Sequence, residues 1–200
     1  MMCGDRGPAT AWELVGITQL LTSGPYAVVT DFPVGTQEGD LVVCLMSCLD
    51  ESVPTTMVSE GNWTHWTPGT QDYLCTARYS AGLAAPRWQK GESTSLYLAT
   101  LVFRAPGWST VQLESNQSPA SPVAITVQAR HQLLLNLSVA PKTSSWVGHM
   151  PSLAAGSRLS RRTTPAMQVY SADIEDPGQY PGIYATSSSR TERNLILSAF

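Results

Sequence analysis

Proline and glycine break this chain at short, fairly even intervals, fourteen of the one and fifteen of the other in 200 residues. Between these breaks, no window of twelve or more residues carries an apolar stripe at the 3.6-residue helical period. A surface helix needs that stripe, and proline is excluded from helix interiors. The segments between the breaks are rich in apolar, β-branched and aromatic residues, which favour pleated, extended backbone. The pattern predicts an all-β protein with antiparallel sheets, packed as a sandwich of the jelly-roll type and with little or no helix.

Strands are expected near Trp12–Leu20, Tyr26–Phe32, Leu41–Leu49, Asn62–Trp66, Tyr73–Ser80, Ser95–Arg104, Thr110–Glu114, Pro122–Ala129, Gln132–Val139, Ala166–Ala172, Gly182–Thr186 and Asn194–Ala199. Gly35–Gly39, Pro68-Gly69, Pro106-Gly107 and Pro177-Gly178 supply turn signals between them. Two runs, Leu41–Met46 and Leu96–Phe103, are almost continuously apolar, which suits central strands covered on both faces. In Leu133–Val139 alternation puts positions 133, 135, 137 and 139 on one face and Asn136 and Ser138 on the other. Ser144–Arg162 mixes Gly, Ser, Pro and arginine and is expected to be an extended loop with one helical turn. No linker or internal repeat divides the chain. One sandwich domain over residues 1–200 is expected, with residues 1–10 as an N-terminal arm.

Charged residues make up only 14% of the chain, against about 25% in an average domain. Such a surface is either rich in neutral polar groups or covered by a partner. Acids dominate residues 1–70 and bases the remainder, an asymmetry that one interleaved sandwich averages out. The net charge is −3, and the basic run Arg158–Arg162 is short, so nucleic acid is not an expected partner. No segment approaches the roughly 18 apolar residues of a membrane helix, and Met1–Gly16 lacks the cationic and apolar order of a secretory signal. Synthesis in a cytoplasm and no membrane insertion are expected. Cys3, Cys44, Cys48 and Cys75 form no C-x-x-C pair. They read as small buried hydrophobes in preference to a disulfide framework or a zinc site.

No nucleophile elbow, phosphate loop or dinucleotide fingerprint occurs, and His65, His131 and His149 lie at no metal-ligand spacing. The expected protein is not an enzyme, with no catalytic residue, cofactor or metal. The acidic cluster Asp173, Glu175 and Asp176 reads as a solvated turn into Pro177-Gly178 in preference to a calcium site. Six tryptophans and seven tyrosines are the better candidates for binding. In Asn62–Thr67, Trp63 and Trp66 point to opposite faces of a strand, so one can anchor the core while the other meets solvent, a sugar or a neighbouring subunit. Trp63, Trp66, Tyr73 and Tyr79 are the candidate glycan or interface aromatics.

Several blocks resemble the β-sandwich virion proteins of tailed bacteriophages, a loose group of tail-fibre-associated, baseplate and head-decorating proteins. They are Gly35-Thr36-Gln37-Glu38-Gly39-Asp40-Leu41-Val42-Val43, a Gly-Asp turn entering an apolar strand, then Gly61-Asn62-Trp63, Tyr73–Tyr79 and Pro86-Arg87-Trp88. Leu96–Phe103 with Arg104, Gln132–Val139, Trp146 and the terminal strand extend the likeness over most of the chain. The resemblance implies a structural or adhesive role in the virion, packed as a trimer or other symmetric homo-oligomer against other virion proteins. A tail, baseplate or fibre site would allow contact with a host surface glycan or receptor. A head site would imply capsid decoration, and a carbohydrate-binding module is the further alternative.

Overall fold

Leu41–Met46 offers no polar position to water, and in the computed structural model of the chain all six side chains are at most 3% exposed. The structure describes residues 11–23, 28–48, 55–57, 61–66, 72–90, 95–116, 125–139, 146–149, 158–163, 167–180, 184–187 and 193–200. Among them every regular element is a strand, and every strand pairing is antiparallel. The all-β antiparallel class follows directly. Contacts divide the chain into two units, Glu13–Arg104 and Met1–Trp12 with Ala105–Phe200.

The Glu13–Arg104 unit contains β1 (Glu13–Ser23), β2 (Val28–Val29), β3 (Leu41–Cys48), β4 (Thr55–Met57), β5 (Thr64–Trp66), β6 (Asp72–Arg78), β7 (Arg87–Lys90) and β8 (Ser95–Arg104). Five of them form a sheet in the order β1-β8-β3-β6-β5, and three form a second in the order β2-β7-β4. The two apolar runs sit in neighbouring inner strands, in register Leu41↔Phe103 through Cys48↔Leu96. One face of the larger sheet gives Val42, Cys44, Met46, Cys75, Ala77, Leu98 and Val102 to a core that also takes Trp63, Leu83 and Trp88. The alternate positions Leu41, Val43, Leu45, Leu74, Ala99, Leu101 and Phe103 are buried too. Burial on both faces is why these strands lack the alternation of a half-solvated strand.

Pairing of β1 with β8 slips by one residue at Val15, between Leu14↔Phe103 and Gly16↔Val102. This bulge brings Gly16 against Pro33, where a Cβ on Gly16 would lie 2.8 Å from the proline Cβ. Neither partner is a flexible side-chain end, so Gly16→Ala forces backbone apart. A loss of about 1–3 kcal/mol of unfolding free energy is expected from urea denaturation.

The Gly-Asp block forms a tight double turn. Gly35 and Gly39 have φ of 93° and 89°, values a side chain disfavours. Asp40 accepts the Gln37 N–H through Oδ2 at 2.8 Å and Arg104 through both carboxylate oxygens, Nε to Oδ1 and Nη2 to Oδ2, each at 2.8 Å. Arg104 Nη2 also donates to the Gly35 carbonyl at 2.8 Å.

The second unit holds β9 (Val111–Asn116), β10 (Ile125–Val127), β11 (Gln132–Val139), β12 (Trp146–His149), β13 (Arg158–Thr163), β14 (Met167–Ile174), β15 (Gly178–Tyr180), β16 (Tyr184–Ser187) and β17 (Arg193–Ala199). Its sheet runs β13-β14-β11-β17-β9, beside the two-stranded pairs β10-β15 and β12-β16. Leu133, Leu134 and Leu135 are all buried, so β11 begins with both faces covered where the sequence suggested one. Trp12 and Trp108 pack at 6.2 Å between ring centroids.

Within Ser144–Arg162, expected as a loop with a helical turn, the described residues 146–149 and 158–162 are strand instead, and residues 150–157 lie outside the described residues. Trp146–His149 pairs with β16, and Arg158–Thr163 pairs with β14 along Arg158↔Asp173 to Thr163↔Gln168. A polar segment such as Arg-Leu-Ser-Arg-Arg-Thr has no apolar period to announce a strand. Its partner's backbone ladder makes it one, at the sheet edge.

Candidate functional site

The four candidate aromatics all lie in the Glu13–Arg104 unit, and their surroundings differ. Trp63, just before β5, is 8% exposed and belongs to the core, with its indole N–H buried and without a hydrogen-bond partner among the described residues. Trp66 stands on the opposite face of the edge strand, half-buried, and donates from Nε1 to Thr76 Oγ1 at 3.2 Å. Tyr73 is half-buried edge-to-face between Trp88, at 6.1 Å, and His65, at 6.3 Å. Tyr79 is half-buried and edge-to-face with Phe32 at 5.0 Å. These rings therefore do not form one flat stacking platform.

Tyr79 lines an open space. A cleft of about 380 Å³ lies beside it, at the end of β6. Arg78 and Tyr79 enter it from that strand's end, Glu38 from the Gly-Asp turn, and Gly61 and Asn62 from the approach to β5. Ser80, Gly82 and Leu83 close it from the turn that follows, held by Leu83 N–H to Ser80 C=O at 2.9 Å. The walls are tied together through backbone. Gly39 N–H donates to Tyr79 C=O at 2.9 Å, and Tyr79 N–H to Asp40 C=O at 2.8 Å. Glu38 Oε2 accepts the Ala81 N–H at 3.1 Å, and Arg78 Nη1 reaches the Gly39 carbonyl at 3.4 Å. Chemically the cleft offers a carboxylate, a guanidinium, an amide and a hydroxyl around a phenol ring and a leucine. That set suits non-covalent capture of a small polar ligand. Sequence reasoning found Tyr79 and missed Glu38, Asn62, Arg78, Ser80 and Gly82. Their only local signal is turn chemistry, which looks the same whether or not a cleft forms.

A second polar row crosses the core face of the larger sheet. Cys44 and Cys75 stand directly opposite each other on β3 and β6, and His65 stands opposite Cys75 on β5. Cys75 Sγ lies 3.5 Å from His65 Nδ1, Cys44 Sγ 3.7 Å from Thr100 Oγ1, and Thr100 Oγ1 3.3 Å from Thr30 Oγ1. A cysteine beside a histidine is the beginning of a nucleophile and its base. The surroundings work against that role. Burial pushes the Cys75 thiol up to about 12 and raises Cys44 well above the ordinary thiol range, whereas a nucleophilic thiol needs the opposite shift. Both thiols are free and buried, as small hydrophobes. Brief iodoacetamide treatment of the native protein at neutral pH is expected to leave both unmodified, and treatment in denaturant to modify both, read by peptide mass spectrometry. The same shifts carry a linkage sign. The stabilisation from holding Cys75 protonated is complete below the unfolded thiol's value near 9 and is lost as pH rises towards about 12. Cys3 lies outside the described residues, as does the side chain of Cys48.

The acidic cluster spreads apart. Asp173 is buried on β14 with Oδ2 3.1 Å from His131 Nδ1, while Glu175 and Asp176 are exposed. Asp176 lies 3.4 Å from Arg130 Nη2. Among the described residues no group of three His, Cys, Asp or Glu side chains could hold a metal ion, and no helix is long and apolar enough to cross a membrane. No protein-family model matches the chain, and neither a curated protein nor a solved structure matches it.

Proposed function

We propose that the chain is a non-enzymatic structural component of a bacteriophage particle, on the tail, baseplate or fibre side, where it contributes to host attachment. The observation that carries this reading is the junction of two segments on which the phage resemblance rests. The Gly35–Asp40 turn and Arg104, at the end of the central strand, are 64 residues apart for the Asp40–Arg104 pair and are joined by a two-pronged ion pair. The resembling blocks thus act as one structural device rather than as scattered turn chemistry. The reading calls for a sandwich of the jelly-roll type. It is supported by Trp88 of the three-stranded sheet sharing a core with the five-stranded sheet. A surface with so few charges suits a protein covered by copies of itself, as a trimer or symmetric array, and by other virion proteins.

Purified particles, separated into heads and tails and analysed by mass spectrometry, test the reading. Peptides of this chain in the tail fraction are expected. Peptides in the head fraction would instead make it a capsid-decorating protein, and their absence from particles would end the virion assignment. Saccharide binding as a stand-alone module is the second reading, favoured by the polar cleft beside Tyr79.

A further inference from the structure

We propose that the cleft beside Tyr79 is a binding site for a terminal neutral sugar, built by Glu38, Asn62, Arg78, Tyr79 and Leu83. The inference deepens the attachment part of the proposed function and rests on it for its biological setting, but its chemistry stands on the cleft alone. A volume of about 380 Å³ lies near the lower end of small-molecule sites and fits a mono- or disaccharide. A sugar ring presents two kinds of surface, an apolar patch of C–H groups and a rim of adjacent hydroxyls. The half-buried Tyr79 ring and the Leu83 side chain provide for the first. Planar side chains provide for the second, since a carboxylate, a guanidinium and a primary amide each meet two neighbouring hydroxyls at once. Glu38 and Arg78 carry opposite charges on the same cleft, so its lining carries no net charge to favour a charged ligand.

Two of the polar groups are held before a ligand arrives. Glu38 is fixed by the Ala81 N–H and Arg78 reaches the Gly39 carbonyl, so less side-chain freedom is lost on binding. Two glycines keep the space open. At Gly61, with φ of 125°, a Cβ would press to 3.2 Å from Leu83 Cδ1. Gly82 lines the cleft, and a Cβ there would meet no atom within 4 Å, so a larger side chain is accepted at the cleft wall without a clash.

That difference supplies the test. Gly82→Phe adds a bulky ring at the cleft wall without straining the fold, and its circular-dichroism spectrum and urea midpoint serve as the check on folding. The purified full chain is titrated calorimetrically with methyl glucoside, methyl galactoside, methyl mannoside and N-acetylglucosamine, with N-acetylneuraminic acid as the charged comparison. At least one neutral sugar is expected to bind with a millimolar Kd. Gly82→Phe should abolish that binding, and Asn62→Ala should weaken it about tenfold through one lost hydrogen-bonding group. If Gly82→Phe disturbs the fold, Asn62→Ala and Glu38→Gln carry the test alone, and unchanged affinity in both overturns the proposal. No binding of any neutral sugar, undiminished binding by a folded Gly82→Phe, or a preference for N-acetylneuraminic acid would each overturn it. Failure here is separable from failure of the virion reading. A chain present in tails that binds no sugar loses only this site, and one that binds sugar but is absent from particles loses only the virion role.

Discussion

Arg104→Ala is expected to lower the unfolding free energy by about 3 kcal/mol, the cost of leaving a buried carboxylate without its cation. Asp40 is 2% exposed and receives two 2.8 Å bonds from the guanidinium. After truncation it keeps the Gln37 N–H, which offsets part of its charge but cannot replace a full cation. Arg104 itself is 32% exposed along its side chain, so water can reach part of the vacated space. That places the loss at the lower end of the range for a broken buried pair. The guanidinium's pKa is raised, first by its hydrogen bonds to Asp40, so the arginine stays charged at any ordinary pH. Arg104→Lys should recover less than half of the loss, because an ammonium lacks the planar fork that spans both carboxylate oxygens and the Gly35 carbonyl. Urea denaturation with an unchanged m-value is the measurement. A loss below about 1 kcal/mol, the level of an exposed pair, would show that the junction contributes no more than surface charge.

Trp88→Ala is expected to cost about 3–5 kcal/mol, the range for deleting a large aromatic ring from a core. Trp88 is 1% exposed and is the largest of the fully buried side chains among the described residues. It stands on β7 between Val28 and Met57 in the three-stranded sheet, yet its ring lies in the core shared with β3, β6 and β8. Its loss therefore removes contacts to the five-stranded sheet and the edge-to-face contact with Tyr73. Trp88→Phe should restore much of the stability by keeping a ring in place. The comparison that gives the result meaning is Trp66→Ala. Trp66 is half-buried on an edge strand and holds one hydrogen bond, so a cost of about 1 kcal/mol is expected. Equal costs at the two positions, read from urea midpoints, would contradict the placement of Trp88 at the junction of the two sheets.

The tryptophans also show where sequence reasoning reached and where it stopped. The three-residue spacing of Trp63 and Trp66 foretold that they would face opposite ways, because side chains alternate along a strand. It did not say which ring would be inside. That depended on β6 lying beside β5 and on which face of β6 carries Cys75 and Ala77 to the core. Tyr79 was found as an aromatic beside a turn. Glu38, 41 residues away, joins it at the cleft only because the Gly-Asp turn hydrogen-bonds to the end of β6.

Local chemistry in the chain determined that it forms strands, where most of them lie, and that Leu41–Met46 and, of Leu96–Phe103, the described side chains from Leu98 onward are interior. Proline, glycine and apolar period act on backbone a few residues at a time, and these signals survive without knowing any partner. Tertiary structure alone decided the pairing of Asp40 with Arg104, Cys44 opposite Cys75, the strands at Arg87–Lys90 and Arg158–Thr163, and the cleft beside Tyr79. Each of these depends on residues far apart in the chain being brought together by a shared ladder or core, and no local preference encodes which distant segment will supply the other half.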